Sequence, residues 1–531
     1  MEKAIAVIDI GMTNKKVAIY SHRLELLDIR KKNFEPLMVD GLESHDLEGM
    51  EAWFFATLKS FSSYYDIGAI VVCTHGATFV CADAAGKPVL PCLYYTYEPG
   101  PEFQNRFYAL VGDPNQLQAS TGTPNLSALI NSAKGLFLAK ERFPEAFKKM
   151  AYALPYPQYW GMRLTGKAGV EGTYIGCHTY LYDWEKKTYS SVARKLGLEG
   201  KLPFPLKDSW ETLGTLLPDI ARKTGLSPST IVTMGIHDSN ASLLPYLIKG
   251  FGSEFTVNST GTWCVLMHPQ DRYGFASDEL GKVVFFNRSA YNKPVKTAIF
   301  LGGKEYEVWT SLFAAIAATR PGAAEKQGAA CQSAAVGQRI AEQAAAGQPA
   351  LAPDPSVYAA ILKERSAFIL PEIVPGSGQF PGSVPQAVEG GVRYPLVDIE
   401  AATARPAFLA DRAKAEAVLN LSLVIQTMVA LERTGLAVGH RIFTEGGFRN
   451  NADYNAILAA ALLGNPVFLT DMSEATSFGA ALTGLAALEG GEPSALAGLF
   501  TIKQIRAEPM RGLDGFDDYR KEWLRLVAAA R

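Results

Sequence analysis

The chain has 531 residues, of which 48% are hydrophobic and 20% are charged, and its formal net charge at pH 7 is −2. This length predicts two or three domains rather than one. The near-neutral charge argues against sequence-independent binding of nucleic acid, which normally requires a basic protein. No stretch offers the roughly 18 or more uninterrupted apolar residues of a membrane-spanning helix, so we expect no membrane partner.

The six cysteines and the N-terminal sequence bear on the compartment. No two cysteines have the C-x-x-C spacing of a zinc or redox site, and most lie among apolar residues. The apolar stretch near the N-terminus is too short for a signal peptide, and Asp9 interrupts it. We therefore expect a reduced protein that is located in the cytoplasm.

The first half of the chain begins with two short strand patterns around a polar loop. Residues 4–9 (AIAVID) and 17–20 (VAIY) are rich in strand-forming side chains, and the loop DIGMTNKK between them predicts a β-hairpin. A helical pattern follows at 47–62 and a buried strand at 68–73. Later, a strand over Ile231–Met234 leads into the loop GIHDSNAS.

The second half begins near residue 253 with a similar strand, turn and strand in SEFTVNSTGTW. The Ala-rich segment 313–350 predicts helix, and residues 411–435 predict an amphipathic helix whose apolar stripe belongs to a core. The tail then alternates strand (RIFTEGG), helix (DYNAILAAALLG), strand (NPVFL) and helix (ATSFGAALTGLAAL). This order predicts an α/β fold in two halves, 1–249 and 250–531.

The loop DIGMTNKK has the composition of a phosphate-binding turn. Gly11 permits a tight turn with an accessible backbone N–H, Thr13 and Asn14 offer side-chain donors, and Lys16 offers a cation. Asp9 ends the preceding strand and could bind Mg²⁺ directly or through water. A solvated hairpin turn favours the same residue types, so this loop alone does not decide between the two interpretations.

Two further loops share this donor-rich chemistry. In NSTGTW, Thr260, Gly261 and Thr262 follow a strand, and in EGGFRNN, Gly446 and Gly447 lie between a strand and a helix. The two glycines would let a flat base approach the backbone, and the helix N-terminus carries a partial positive charge. Each loop is also compatible with an ordinary turn, but donor-rich turns at the start of both halves are more informative than one alone.

In chain order these segments resemble the motifs of the FGGY carbohydrate kinases. The matching segments are DIGMTNKK, THGAT (74–78), GIHDSNAS, STGTW, EGGFRNNADYNAILAAALLGNPVF and EATSFGAALTG. That family has two ribonuclease-H-like domains of the actin/hexokinase-type ATPase fold around a central cleft. The resemblance implies this fold, with sugar binding and the catalytic base in residues 1–249 and nucleotide binding in residues 250–531.

The resemblance also implies an ATP- and Mg²⁺-dependent carbohydrate kinase in which Asp238 is the general base. Asp9 and Asp238 would lie at the metal. The implied sugar contacts are His75, Gly76, Glu171, Thr173, His237 and Asp238. The implied ATP and phosphate contacts are Gly11, Thr13, Asn14, Lys16, Thr260, Gly261, Thr262, Gly446, Gly447 and Asn450.

Several of these residues also have a purely structural interpretation. Asp238 could cap the helix that follows it, His237 could be a packed histidine bonded to the backbone, and His75 could be a strand-end histidine. The pair Cys177 and His178 looks like part of a metal or nucleophile site. We favour a structural role for this pair, because no third partner has suitable spacing in the sequence.

The histidine before Asp238 bears on the substrate. It looks more like rhamnulokinases and fuculokinases, whereas xylulokinases usually have glycine there. We therefore expect L-rhamnulose or L-fuculose first, xylulose or ribulose second, and a polyol third. The alternatives from other classes are an actin/Hsp70-like conformational ATPase and a non-catalytic sugar-binding regulator. The expected partners are the sugar and ATP, without nucleic acid, and a homodimer is left open.

Overall fold

The computed structural model describes residues 3–318, 354–472 and 474–529. The chain forms two compact units, each assembled from three segments that are separate in the sequence. Unit 1 comprises Met1–Ser253, Pro269–Lys296 and Glu474–Ile502. Unit 2 comprises Glu254–His268, Thr297–Ser473 and Lys503–Arg531. The chain first leaves unit 1 close to residue 249, where the sequence predicts a boundary, and it returns to unit 1 twice.

The first strand of the chain lies in the middle of the main sheet of unit 1. Ala4–Ile10 pairs antiparallel with Asn14–Tyr20 and parallel with Ile67–Thr74, which also pairs in parallel with Ile236–His237. Every residue of Ala4–Ile10 and Ile67–Thr74 is buried, as is usual for central parallel strands with helices on both faces. The carboxyl ends of three parallel strands therefore meet at one edge of the sheet.

Alternate residues of the first strand face two different cores. Ile8 packs in a cluster with the helix Leu47–Phe61, whereas Val7 packs in a second cluster with the helix Ala475–Glu489. This alternation follows from the two-residue side-chain period of a strand. It explains why a helix from the far end of the sequence belongs to unit 1.

The other elements of unit 1 surround this sheet. The strands of unit 1, in the main sheet and in smaller ones, are Ala4–Ile10, Asn14–Tyr20, Leu26–Asn33, Leu37–Val39, Leu42–Ser44, Ile67–Thr74, Phe79–Ala82, Tyr152–Pro155, Tyr182–Asp183, Thr188–Tyr189, Thr212–Thr215, Ile231–Thr233, Ile236–His237 and Val284–Arg288. Its α-helices are Leu47–Phe61, Pro101–Val111, Pro114–Thr121, Ser132–Arg142, Pro144–Lys149, Tyr156–Thr165, Gly172–Ile175, Ser191–Leu196, Pro218–Thr224, Asp238–Ile248 and Ala475–Glu489.

Unit 2 opens with the same strand topology as unit 1. Phe255–Thr260 pairs antiparallel with Cys264–Pro269 and parallel with Arg441–Gly446, which pairs in parallel with Val467–Thr470. The predicted opening of both halves by a strand, a Gly/Thr turn and a second strand is thus confirmed. As in unit 1, the turn after the first strand lies beside the carboxyl end of a parallel neighbour.

The remaining elements of unit 2 extend and cover this sheet. Further strands are Pro294–Phe300, where the chain passes into unit 2, Ala367–Leu370, Gln386–Glu389, Val392–Pro395 and Gln504–Arg506. The α-helices are Gly302–Ala318, Pro355–Glu364, Leu396–Glu400, Arg412–Thr434, Ala452–Ala461 and Phe516–Ala528. The predicted helix at 313–350 is described only up to Ala318; residues 319–353, with Cys331, lie outside the described residues.

The helix Arg412–Thr434 is the core helix of unit 2. Within the described part of the chain, it is the one helix long and apolar enough to pass a length-and-hydropathy test for a membrane span, but 89% of its apolar window is buried in the protein. The predicted stripe, which includes Val418, Leu421 and Val424, is fully buried. Burial of this kind is typical of a core helix, as the spacing of its apolar residues predicts.

Candidate active site

The strand ends of unit 1 bring together predicted residues that are far apart in the sequence. Strand pairing places Asp9 opposite Cys73 and His237 opposite Thr74, and the backbone N–H of His75 donates to the carbonyl of Ile10 at 3.0 Å. In α/β sheets, ligands commonly bind at the carboxyl ends of parallel strands. We therefore take this edge of the sheet as the candidate active site of unit 1.

Asp238 combines a raised pKa with partial exposure. It is the first residue of the helix Asp238–Ile248, and its Oδ1 accepts hydrogen bonds from the backbone N–H (2.6 Å) and hydroxyl (3.3 Å) of Ser239. Burial raises the pKa of the carboxyl to about 6, against the opposing effect of the Ser239 bonds. The side chain remains 32% exposed. A carboxylate of this kind is ionised near neutral pH and still basic enough to accept a proton.

The helix-capping interpretation of Asp238 does not match the observed bonds. His237, not Asp238, occupies the N-cap position and makes no capping bond with its side chain, while Asp238 bonds through Oδ1 only to its neighbour Ser239. Asp238 instead lies in the first turn, where the partial positive charge of the helix N-terminus favours an ionised carboxylate. Its carboxylate therefore remains available for another role.

His237 is a neutral histidine directly beside this carboxylate. Its Nε2 lies 3.2 Å from Oδ1 of Asp238, and its Nδ1 accepts a hydrogen bond from the side-chain amide of Asn240 at 3.2 Å. Burial lowers the pKa of His237 to about 3. A neutral imidazole that accepts at Nδ1 carries its proton on Nε2, so His237 presents an N–H toward Asp238.

Glu171 and Thr173 lie next to His237, and their polar side-chain atoms already take part in hydrogen bonds within the protein. The Glu171 carboxylate accepts hydrogen bonds from the N–H (2.6 Å) and hydroxyl (2.9 Å) of Thr173 and from the N–H of Tyr174 (2.7 Å). The Thr173 hydroxyl also accepts from the N–H of His237 at 3.1 Å. Burial raises the pKa of Glu171 to about 7. These bonds support His237; direct contact of either side chain with a sugar stays a prediction.

His75 is likewise bonded on both sides of its ring. Its Nδ1 lies 3.0 Å from the carbonyl of Ile10 and its Nε2 lies 3.0 Å from the hydroxyl of Thr78. The Ile10 carbonyl can only accept, so Nδ1 carries the proton and Nε2 accepts from Thr78. Burial lowers the pKa of His75 to about 3. Both ring nitrogens of His75 are therefore engaged within the protein, and its contact with a sugar stays a prediction.

Gly76 allows two imidazoles to approach the backbone. A methyl group on Gly76 would lie 2.7 Å from Nε2 of His178 and 3.0 Å from Nε2 of His237. A side chain at this position would therefore collide with at least one ring. Gly76 thus lies beside His237 and His178, and its contact with a sugar stays a prediction. For His178, the sequence favoured a purely structural role.

The structure provides the third partner that the sequence did not reveal for Cys177 and His178. One potential ligand atom from each of Cys177, His178 and His237 lies within 4.8 Å of the others. However, the Cys177 thiol donates to the carbonyl of Tyr174 at 2.9 Å, and burial raises its pKa well above the usual range. A metal would require the thiolate, so we assign no metal to this cluster.

The tip of the first hairpin exposes Thr13 and Asn14, two of the predicted phosphate contacts. The N–H of Gly11 is used within the turn, where it donates to the carbonyl of Asn14 at 3.0 Å. Nζ of the buried Lys15 donates to the carbonyl of Met12 at 2.7 Å and holds the tip from inside. Lys15 was not among the predicted residues, although it adjoins Lys16.

Lys16 links the hairpin to a segment from the far end of the sequence. Its Nζ lies 2.7 Å from Oε2 of Glu474 and 3.7 Å from Oδ2 of Asp9. The hydroxyl of Ser477 donates to the same Oδ2 of Asp9 at 2.8 Å. Burial raises the pKa of Asp9, and the nearby charge of Asp238 raises it further, whereas Lys16 lowers it. Glu474 and Ser477 are therefore additional members of this site.

In unit 2, the Thr260 hydroxyl joins two of the predicted nucleotide loops. It donates to the carbonyl of Glu445 and accepts from the N–H of Phe448 at 2.9 Å. Gly446 has φ of 78°, and a methyl group there would lie 2.2 Å from the carbonyl oxygen of Thr260. Thr260 and Gly446 therefore hold the STGTW and EGGFRNN loops together.

The exposed residues around this junction are the other predicted nucleotide contacts. Gly261, Thr262, Gly446, Gly447 and Asn450 are all exposed, the last two at the ends of the short 3-10 helix Gly447–Asn450 that follows the strand Arg441–Gly446. The N–H of Gly261 is used within its turn, where it donates to the carbonyl of Trp263 at 2.9 Å. Their contact with ATP stays a prediction.

The helix Gly302–Ala318 begins in contact with the STGTW loop. The sequence alone did not predict this contact. A methyl group on Gly303 would lie 1.9 Å from the carbonyl oxygen of Gly261, and the N–H of Lys304 donates to the carbonyl of Thr262 at 3.2 Å. The Gly302–Gly303 pair after a strand was the available sequence signal, since such a pair is typical of close backbone approach.

Two family models match this chain. Residues 4–245 match the N-terminal domain of the FGGY family of carbohydrate kinases, and residues 252–360 match the C-terminal domain of carbohydrate kinase FGGY. The two matches include DIGMTNKK, THGAT, GIHDSNAS and STGTW, whereas EGGFRNN and EATSFGAALTG follow the end of the second match at residue 360.

Individual relatives agree with these matches. The xylulose kinase of Bacillus subtilis (strain 168) is 32% identical over 148 residues, which are 28% of this chain and 29% of that protein. The L-fuculokinase of Haemophilus influenzae is 27% identical over 170 residues, which are 31% of this chain and 35% of that protein. The chain therefore matches about a third of the length of these curated relatives.

A solved structure extends the similarity to the whole chain. The crystal structure of a carbohydrate kinase from Novosphingobium aromaticivorans is 26% identical, covers 100% of both chains and superposes with a TM-score of 0.75. The predicted two-domain α/β fold is thereby confirmed.

Proposed function

Because this chain belongs to the FGGY family of carbohydrate kinases, we propose that it transfers the terminal phosphoryl group of ATP to a primary hydroxyl of a small ketose. The observation that carries this proposal is the state of Asp238. Its carboxyl group is partly exposed, has a pKa raised to about 6, and lies at the carboxyl edge of a buried parallel sheet. A sugar hydroxyl needs such a proton acceptor before it can attack phosphorus efficiently.

In the proposed reaction, Asp238 accepts the proton of the attacking hydroxyl. The sugar oxygen forms a bond to the γ-phosphorus as the bond from that phosphorus to the β–γ bridging oxygen breaks, and ADP leaves. General base assistance contributes about 10²–10⁴-fold in rate. The remaining acceleration depends on alignment of the two substrates and neutralisation of the phosphate charge.

Asp9 and Asp238 would hold the Mg²⁺ that accompanies ATP. Carboxylate oxygens are suitable ligands for this cation, and Oδ1 of Asp9 accepts no hydrogen bond from the described residues. Bound Mg²⁺ supplies charge neutralisation on the phosphates. Lys16 and Ser477 both contact Oδ2 of Asp9, which leaves Oδ1 available to the cation.

The two halves of the chain would divide the work. Residues 1–249 would bind the sugar and supply the base, together with the donors of the first hairpin. Residues 250–531 would bind the nucleotide through the loops that Thr260 and Gly446 hold together. The matching strand topology supports this division, because each half ends its first strand in a turn that is rich in potential donors.

We propose L-rhamnulose or L-fuculose as the first substrate candidates. The histidine that precedes Asp238 and the similarity to an L-fuculokinase support them. Xylulose and ribulose come second, supported by the similarity to a xylulose kinase, and polyols come third.

The test is ADP release from the full-length protein with MgATP and a panel of L-rhamnulose, L-fuculose, D-xylulose, D-ribulose, xylitol and glycerol. We expect at least one ketose to raise ADP release well above the rate without sugar, with one phosphate in the sugar per ADP formed. ADP release that no acceptor changes would instead favour a conformational ATPase. Sugar binding without phosphate transfer would favour a sugar-binding regulator.

A further inference from the structure

A small cavity lies in unit 1 next to residues of the candidate active site. Its volume is about 20 Å³, which is room for one group the size of a methyl group or a water molecule. The wall of the cavity includes Ala77, which directly follows Gly76. It also includes Tyr95, whose ring centroid lies 5.4 Å from that of His75. The cavity therefore adjoins the edge of the sheet at which Asp238 lies.

The side chains that line the rest of this cavity are mostly apolar. Ser132 belongs to the wall, but its hydroxyl oxygen is itself buried and so is not offered to the cavity. A buried water molecule needs two to four polar partners, so this lining suits a carbon group better than water. The main apolar lining residues are Phe79, Leu93, Leu129, Leu136 and Ala139.

Short distances connect the cavity with the carboxylate of Asp238. Nε2 of His237 lies 3.2 Å from Oδ1 of Asp238. The same nitrogen is 3.0 Å from the position of a methyl group on Gly76, the neighbour of Ala77. Because consecutive α-carbons are about 3.8 Å apart, the α-carbon of Ala77 is at most roughly 12 Å from this carboxylate. Burial raises the pKa of Tyr95 to about 12, and the nearby charge of Asp238 contributes to this rise.

A six-carbon sugar is long enough to reach from the base to the cavity. When the hydroxyl on its first carbon is hydrogen-bonded to Asp238, its sixth carbon lies up to roughly 10 Å from the carboxylate. This length matches the distance over which Asp238 and the cavity wall at Ala77 are separated. The far end of such a sugar therefore falls at the cavity.

We propose that this cavity receives the terminal methyl group of a 6-deoxyketohexose while Asp238 binds the hydroxyl at the other end of the sugar. The inference rests on the proposed function and selects among its substrate candidates. L-Fuculose and L-rhamnulose both carry this methyl group on their fifth carbon. D-Ribulose is L-fuculose with hydrogen in place of the methyl group, and L-tagatose is L-fuculose with a hydroxyl added to the methyl carbon.

The group that enters the cavity ranks these sugars. Burial of a methyl group in apolar surroundings stabilises the complex, and one carbon more or less in an apolar pocket changes kcat/KM by about 10- to 200-fold. The added hydroxyl of L-tagatose would exchange water for a wall with few hydrogen-bonding groups. We therefore expect kcat/KM for L-fuculose to exceed that for D-ribulose and for L-tagatose by about tenfold or more. L-Rhamnulose should exceed L-xylulose and L-fructose in the same way.

The test measures kcat/KM for both sugar series with MgATP in full-length wild type, Ala139→Leu and Ala56→Leu. Ser132, Leu136 and Ala139 line the cavity at helical spacing on the helix Ser132–Arg142, so the side chain of Ala139 points toward the cavity. Leucine adds three carbon atoms there and fills the space. Ala56→Leu is the control, because it makes the same exchange at an exposed position of another helix.

Filling the cavity should affect only the sugars that carry the methyl group. In Ala139→Leu, kcat/KM for L-fuculose should fall by about tenfold or more, whereas that for D-ribulose should change by less than about twofold. Ala56→Leu should match wild type with every sugar, and thermal unfolding shows which variants are folded. An equal loss for L-fuculose and D-ribulose in folded Ala139→Leu would overturn the assignment of the cavity.

The wild-type protein keeps the inference testable even if Ala139→Leu does not fold. The inference is refuted, with the kinase proposal intact, if wild type phosphorylates D-ribulose or L-tagatose as efficiently as L-fuculose, and L-xylulose or L-fructose as efficiently as L-rhamnulose. Phosphorylation of pentuloses without that of either 6-deoxy sugar has the same meaning. Absence of transfer to every acceptor would overturn both proposals.

Discussion

Nε2 of His237 lies 3.2 Å from Oδ1 of Asp238, and burial moves the pKa values of the two side chains in opposite directions. The pKa of His237 falls to about 3, while that of Asp238 rises to about 6. In both residues, loss of solvent disfavours the charged form. At neutral pH the histidine is therefore an uncharged donor and the aspartate is the proton acceptor, which fits a reaction that begins by removing a proton from a hydroxyl.

Replacing Asp238 by asparagine should remove the base and leave the nucleotide loops unchanged. We expect Asp238→Asn to lower kcat by about 10²–10⁴-fold, measured as sugar-dependent ADP release. Affinity for ATP in the absence of Mg²⁺, measured by titration, should change by less than about twofold, because the predicted nucleotide loops lie in unit 2 and do not include Asp238. Asp219→Asn is the control, since Asp219 is exposed and forms an ion pair with Lys223. Near-normal turnover by Asp238→Asn would exclude the base assignment.

The pH dependence of the reaction should report the raised pKa of Asp238. Below about pH 6 the carboxyl is protonated and cannot accept a proton, so kcat/KM for the sugar should fall by about tenfold per pH unit. The pKa values of His75, His178 and His237 are lowered to about 3, 4 and 3, so these rings stay neutral in this range. Glu171, whose pKa is raised to about 7, titrates close to this range, so the limb of Asp238 is the one that Asp238→Asn lacks.

This profile is to be measured at saturating MgATP, so that titration of the nucleotide does not affect the result. The residual activity of Asp238→Asn provides the control, because it should lack the limb near pH 6. A limb of the same position and slope in that variant would assign the titration to another group.

Gly479 should be required for the packing of two helices in unit 1. A methyl group at Gly479 in the helix Ala475–Glu489 would lie 1.8 Å from the carbonyl oxygen of Ala241 in the helix Asp238–Ile248. We expect Gly479→Ala to destabilise the protein by about 1–3 kcal/mol, measured by urea unfolding. Since the second helix begins at Asp238, kcat should fall as well.

Gly135→Ala is the matched control for this substitution. Gly135 also lies inside a helix, but a methyl group there meets no atom within 4 Å. Alanine should therefore stabilise the protein by about 0.5–1 kcal/mol through its better helix propensity. Equal effects of the two substitutions would contradict the close packing at Gly479.

Thr260→Val should loosen the junction of the nucleotide loops in unit 2. Valine keeps the volume of threonine but removes the hydroxyl that accepts from the buried N–H of Phe448 and donates to Glu445. Leaving that N–H without a partner costs about 1–3 kcal/mol. We expect a loss of stability of this size in urea unfolding and an ATP affinity that is lower by about fivefold or more.

Thr403→Val is the control for Thr260→Val, because it removes a threonine hydroxyl at another position of unit 2. Thr403 is exposed, and its hydroxyl donates to the carbonyl of Asp398 at 3.0 Å. Water can satisfy that carbonyl after substitution, so stability and ATP affinity should change little. If Thr260→Val matched Thr403→Val in both measurements, the Thr260 hydroxyl would not be what holds the STGTW and EGGFRNN loops together.

Local patterns predicted most of the elements that position the site. The hairpin around DIGMTNKK, the buried strand near residue 70 and the core helix Arg412–Thr434 follow from strand propensity, apolar runs and helical spacing. The order of the motifs indicated the family, which the family models and the solved structure confirm. These features depend on neighbouring residues, so the sequence contains them directly.

Contacts over long sequence distances were decided only by the tertiary structure. The salt bridge between Lys16 and Glu474 and the hydrogen bond between Ser477 and Asp9 join residues more than 450 positions apart. The sequence offered no third partner for Cys177 and His178, because His237 comes close to them only after folding.

The sequence by itself therefore determined which segments end in reactive or donor-rich turns, and it singled out Asp238 among the acids. The tertiary structure decided which polar atoms are occupied and which are free. Both nitrogens of His75 are bonded within the protein, whereas Nε2 of His178 faces the site. The physical reason is that a hydrogen bond depends on the direction and distance between two groups in space, and segments far apart in the chain acquire these only when the sheet assembles.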